Sequence, residues 1–280
     1  METIVIQMKK MLEESILTRK FNGNTYANGQ KAKEALIRSQ KLINLLHEWV
    51  KMELVRNGVD GRQIYPPLSS SKPELKIAGF LKQKDQDVCV RPKNIKNNPR
   101  VISWGPLANE NITDALGEEL SRNTLVVNIR SQLSSIAKNT DTLFERTFAE
   151  SLNLHIMYPD MVIGEVYLIP VYEYDDIEMS NNKIAFKNRA TNIEKYINFF
   201  SAISNRINSE DEHYKYEGCL LLIVDFSKEE PKIYLSTEDL KNDGLVRSTF
   251  SGDMAKLNHH NFAASILKKY GERFDIKNVM

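Results

Sequence analysis

The sequence predicts an α/β fold: a mixed central sheet flanked by helices, with a helical N-terminal region over residues 1–57 and an α/β core over 58–280. Three observations predict it. "KLINLLHEWVKMELVRNG" spaces Leu42, Leu45/Leu46, Trp49 and Met52 as one helical face and stops at Asn57-Gly58. "DMVIGEVYLIPVYEYDD" is a long apolar run rich in β-branched residues, the mark of a central strand. From about residue 60 strand and helix patterns alternate, which calls for a sheet with helices packed against it.

The elements follow in order. "NGNTYANG" breaks the N-terminal helical region as a loop. "RQIYPPLSSSKPELKIAGFLKQKDQDVCVRP" holds two or three short strands, punctuated by Pro66-Pro67 and the Ser run. "NIKNNPRVISWGPLANENI" is loop-rich, "TLVVNIRSQ" is a strand, and a helix is expected from about Asp141 to His155. "TNIEKYINFFSAISNRIN" is a helix with Ile193, Tyr196/Ile197, Phe200 and Ile203 as its apolar stripe; Thr191 and Glu194 read as its capping box. "GCLLLIVDFS" and "PKIYLST" are strands, and "HNFAASILKKYGERF" is the last helix.

Bulk properties narrow the function. A 41% hydrophobic content over 280 residues supports one substantial core. The net charge of +1 gives no global sign of a nucleic-acid or membrane partner, so such evidence has to be local. Cys89 and Cys219 are the only cysteines, which excludes a four-thiolate zinc site and suits a reducing compartment. "METIVIQMKKMLEES" lacks a signal-peptide apolar core and no run is long enough for a membrane helix, so the expected location is the cytoplasm. Walker, Gly-x-Gly-x-x-Gly and Gly-x-Ser-x-Gly motifs are absent, and His47, His155 and His213 show no metal-ligand spacing. His259-His260 reads as a cap or surface feature.

Local chemistry concentrates on two strands. In "TLVVNIRSQ", Asn128 and Arg130 share one face and Leu125, Val127 and Ile129 the other. Polar groups at i and i+2 of an inner strand are costly unless paired or used, so Arg130 is either a strand-end ion pair or a functional cation. In "KQKDQDVCVRP", Asp85, Asp87 and Cys89 share a face, and Asp87 is either a solvated strand-entry acid or a functional one. Two strands presenting such groups to one cleft suit metal-dependent phosphodiester chemistry. "YPDMVIGEVY" offers a literal Pro-Asp and Glu165-x-Tyr167, but it lacks a lysine and places both acids in one strand segment. It is set aside as a motif mimic, with Arg130 on the neighbouring strand as the expected partner of Glu165. Between Lys72 and Arg100 eight Lys/Arg face three acids, a net of +5 over 29 residues; this is either a solvated basic loop or a polyanion contact.

Together Asp87, "NIRSQLSSIAKN", "LFERTFAE" and "MVIGEVYLIPVYEYD" resemble the PD-(D/E)XK nuclease superfamily, and more closely type II restriction endonucleases of the XhoI-like kind. The similarity covers roughly residues 45–175. Asn128 stands where that family has Glu, and Arg130 where it has Lys. The resemblance implies a restriction-endonuclease-like fold that cleaves double-stranded DNA with Mg²⁺, as a homodimer on a palindromic site; a cognate methyltransferase partner stays open. It further implies Asp87 and Glu145 as metal ligands, Glu145 having taken over on the following helix the acid missing at 128, with Asn128 as a weaker support. Thr142-x-x-Glu145 reads equally as a capping box. Arg130 and Lys138 would hold the scissile phosphate. Ser131, Gln132, Ser134, Ser135 and Asn139, with Lys82, Lys84, Arg91, Lys93 and Lys96 of the basic stretch, would contact DNA. Two competitors stand beside this reading: a DNA-binding protein of the same fold without catalysis, and an α/β interaction protein without nuclease activity.

Overall fold

In the computed structural model, which describes residues 1–280, three helices come first: α1 (Glu2–Thr18), α2 (Gly29–Arg38) and α3 (Lys41–Arg56). The loop between α1 and α2 is a two-strand ribbon, Lys20–Phe21 against Asn24–Thr25. Asn28 caps α2 by accepting from the Lys31 N–H at 3.0 Å. α3 stops where the sequence predicts. Gly58 takes φ +100, and its N–H and that of Val59 return to the carbonyls of Val55 and Leu54.

Eight strands follow that matter here: β1 (Ile64–Tyr65), β2 (Leu75–Ala78), β3 (Gln83–Gln86), β4 (Val88–Val90), β5 (Leu125–Ser131), β6 (Ile163–Pro170), β7 (Gly218–Asp225) and β8 (Lys232–Tyr234). The main sheet is mixed, in the order β8-β7-β6-β5-β4-β1. β5, β6 and β7 run parallel, and β8, β4 and β1 pair antiparallel to their neighbours. β2 and β3 form a separate hairpin. Helix α4 (Ile136–His155) carries the chain from β5 to β6, α5 (Ile193–Ile203) precedes β7, and α6 (Phe262–Arg273) lies near the end.

Strand alternation divides the core into two layers. Val127 and Ile129 of β5, Val166 and Leu168 of β6 and Leu220, Leu222 and Val224 of β7 pack with the apolar faces of α1, α3 and α6. Val126, Ile163, Tyr167, Ile169, Leu221 and Ile223 pack on the other side with α4 and α5. The α/β class with helices on both faces of a mixed sheet therefore stands as expected. The N-terminal helices share the first of these layers with the sheet. No helix is long and apolar enough to cross a membrane.

Three local expectations are corrected. The run from Lys82 to Arg91 is not one strand: β3 belongs to the hairpin, β4 to the main sheet, and the chain bends at Asp87 between them. Helix α4 begins at Ile136 rather than near Asp141, directly after Ser135 in a left-handed turn with φ +52. Its first N–H is taken by the Glu173 carboxylate at 3.3 Å, so a partner from another segment supports a start that local propensity does not signal. Thr191 does not form a capping box with Glu194. Asn192 caps α5 through the Lys195 N–H, Thr191 donates to the Pro170 carbonyl, and Glu194 pairs with Arg247.

Candidate active site

Asn128 and Glu165 lie on the α4 side of the sheet, where β4, β5 and β6 run side by side, and Asp87, at the bend before β4, also borders α3 on the other side. Parallel register sets Asn128 of β5 opposite Glu165 of β6, and Glu165 in turn opposite Cys219 of β7. Neighbouring strands lie roughly 4.8 Å apart, so these form one row across the sheet. Arg130, one pleat further along β5, reaches back to Glu165 and binds its Oε1. The partner expected for Glu165 is thus the one it has.

Asp87 enters from the opposite strand. β4 ends before it can continue its ladder with β5, and the Asp87 side chain takes that place: Oδ2 accepts from the Ile129 N–H at 2.8 Å. The carboxylate is thereby fixed against the backbone between Asn128 and Arg130. Asp87 also borders a small cavity of about 120 Å³ with Asn44, His47, Lys72 and Glu74.

Several atoms here have no partner. Asn128 is fully buried, and neither its Oδ1 nor its Nδ2 makes a hydrogen bond. Glu165 is fully buried and its Oε2 is equally unpartnered. Each such group costs about 1–3 kcal/mol relative to a satisfied one, so two in adjacent register mark a place prepared for something else. Burial pushes the Glu165 carboxyl up to about 7, against the pull of Arg130. For Arg130 burial works against the charge, but Glu165 beside it prevails and holds the guanidinium above its usual value. Arg130 is thus a permanent cation that cannot act as a base.

Above this row the β2–β3 hairpin is clasped to α4. Lys82 and Lys84 hold the two oxygens of Glu150 at 2.8 and 2.9 Å. Burial raises the Glu150 carboxyl, but the two ammonium groups outweigh it and the net shift is downward. Asn153 of α4 accepts from the Leu81 and Lys82 N–H groups and donates to the Lys82 carbonyl.

The remaining expected site residues fall in three places. Glu145 is the tenth residue of α4, not part of its first turn, and is exposed. At ~100° per residue it lies away from the buried side of the helix formed by Thr140, Thr147, Ser151 and Leu154. It therefore neither caps α4 nor joins the strand cluster. Lys138 and Asn139 are exposed in the first turn of α4, and Ser134 and Ser135 are exposed just before it; Ser131 is half-buried. Gln132 is buried and occupied: its Nε2 donates to the Ile136 carbonyl, and its Oε1 accepts from Tyr167 at 3.1 Å and Tyr196 at 2.7 Å. Gln132 pins the β5–α4 turn to the core and is not free for DNA. In the basic stretch Lys96 is exposed, Arg91 donates to Asn97 and Lys93 to the Met280 carbonyl.

Sequence reading missed Glu150 altogether and set Glu165 aside. The signal for Glu165 was its isolation in an apolar run; the signal for Glu150 was absent, because its partners come from a hairpin 66 and 68 residues away. No three His, Cys, Asp or Glu side chains group together to hold a metal ion. Of the atoms that lack partners, Asn128 Oδ1 and Glu165 Oε2 are hard oxygens that suit a cation such as Mg²⁺ and not a thiolate-seeking metal, whereas Asn128 Nδ2 can only donate a hydrogen bond. No protein-family model, curated protein or solved structure matches the chain.

Proposed function

We propose that this protein is a Mg²⁺-dependent endonuclease of the type II restriction kind, cleaving double-stranded DNA as a homodimer. The observation that carries the reading is the fully buried, unpartnered Asn128 amide, set between Asp87 on one side and the Arg130–Glu165 pair on the other. The order antiparallel strand pair, helix, parallel strand (β4, β5, α4, β6) supports it, because it brings an acid of one strand beside a cation of the next. The similarity of "NIRSQLSSIAKN" and its surroundings to restriction endonucleases supplies the reaction class.

In this reading Asp87 is the principal metal ligand. The bound ion supplies charge neutralisation at the phosphodiester and activation of water. Arg130 is positioned to clamp the scissile phosphate through its planar fork and to balance charge that develops there. Lys82 and Lys84 on the hairpin, which keep one net positive charge after sharing Glu150, and Lys93 and Lys96 beyond it would provide sequence-independent attraction to the backbone. The protein is tested with double-stranded DNA and Mg²⁺. Cleavage that is lost in Asp87→Ala while DNA binding persists is expected. Full cleavage by Asp87→Ala would refute the assignment.

A further inference from the structure

We propose that Glu165, on the strand after the helix, is the second carboxylate of the divalent-cation site, completing it with Asp87 and Asn128. The inference rests on the nuclease reading for its purpose, but its evidence is independent. The acid expected at position 128 is an amide here, and Glu145 points away from the cluster. The register places Glu165 directly beside Asn128. An acid moved one strand over, at the same level of the sheet, enters the same space as one at position 128.

An ion pair with Arg130 explains only half of Glu165. It uses Oε1 and leaves Oε2 buried without a partner, next to an Asn128 whose Oδ1 is equally idle. Asp87 contributes a further oxygen, since Oδ2 alone is engaged by the Ile129 N–H. Three hard oxygens from three adjacent strand segments would supply part of a shell for Mg²⁺, which binds through one or two carboxylates and completes its octahedron with water or phosphate oxygens. The charge count agrees. In the ion-bound state, with Glu165 deprotonated, Asp87, Glu165 and Arg130 sum to −1, a divalent ion turns this to +1, and a phosphodiester group returns it to neutrality. Arg130, whose side chain is 17% exposed against 0% for Glu165, covers the inner groups from the solvent side and is the residue a phosphate would engage.

The test uses Mn²⁺ alone, without DNA, followed by electron paramagnetic resonance on the full chain. Wild type is expected to bind one ion per chain, Glu165→Gln to bind it at least ten-fold more weakly, and Asn128→Asp at least ten-fold more tightly. The Asn128→Asp gain decides the matter if Glu165→Gln fails to fold. Wild-type affinity in Glu165→Gln, or no gain in Asn128→Asp, overturns the assignment, as does the absence of any Mn²⁺ bound by wild type. A gel assay run in parallel separates the two claims. If wild type cuts DNA and Glu165→Gln cuts equally well, this inference fails and the nuclease reading stands. If the Mn²⁺ affinities shift as expected but no DNA is cut, the cation site stands and the nuclease reading fails.

Discussion

Consider Glu165→Gln in metal-free buffer. Burial pushes the wild-type carboxyl up to about 7 from its ordinary value of 4.5, so between these two pH values the folded protein retains a proton that the unfolded chain has released. Stability from this group is therefore fully present below pH 4.5 and is lost as the pH rises through 7. For a carboxyl shifted from 4.5 to 7, the loss between pH 5 and pH 8 is about 2.5 kcal/mol. Glutamine does not titrate. The assay is urea unfolding of both proteins from pH 5 to 8, followed by fluorescence of Trp49 and Trp104, with the variant subtracted to cancel all other groups. The wild type should lose about 2.5 kcal/mol relative to the variant across this range. Parallel curves, or a wild type that gains on the variant as pH rises, would show Glu165 ionised at ordinary pH and refute the reasoning.

Other perturbations test the surrounding framework. Gln132→Ala leaves the Tyr167 hydroxyl without its buried partner, while the Tyr196 hydroxyl and the Ile136 carbonyl keep Thr140; unfolding free energy should fall by about 1–3 kcal/mol in urea, with DNA affinity of the folded fraction unchanged. Glu217 is fully buried among Arg206, Arg273 and His155, so Glu217→Gln strands the buried Arg206 charge and should cost about 3–5 kcal/mol by the same measurement. Lys96→Gln removes an exposed cation from the basic stretch; the log–log salt dependence of DNA binding should become shallower by about 1 if Lys96 meets a phosphate.

Much of the sheet was legible because burial on two faces leaves a direct record in sequence. β6 and β7 are continuous apolar runs, and β5 declares its two faces by alternation: Val127 and Ile129 toward one layer, Asn128 and Arg130 toward the other. The Arg130–Glu165 contact was legible for the same reason, since a lone acid in such a run requires a cation from its neighbour. What was hidden depends on partners distant in sequence. α4 starts at a polar Ser-Ser-Ile that has little helical character by itself and is supported by Glu173, 37 residues on. That five-residue displacement moved Glu145 from a first turn to the middle of an exposed helix face. Asp87 reads as part of a strand, yet the chain bends there so that its side chain can replace a missing ladder bond to Ile129. Gln132 looks like a DNA contact because it follows an Arg-Ser pair, and only the two tyrosines from β6 and α5 show that it is sealed into the core.

The most direct test of the account is a gel of purified protein with unmethylated phage-length double-stranded DNA, with Mg²⁺ and with chelator, for wild type and Asp87→Ala. Discrete fragments formed only by wild type and only with Mg²⁺ are the predicted result. Intact DNA in every lane, with a folded wild-type protein that still binds DNA, would contradict it and assign the cluster around Asn128 to binding without cleavage.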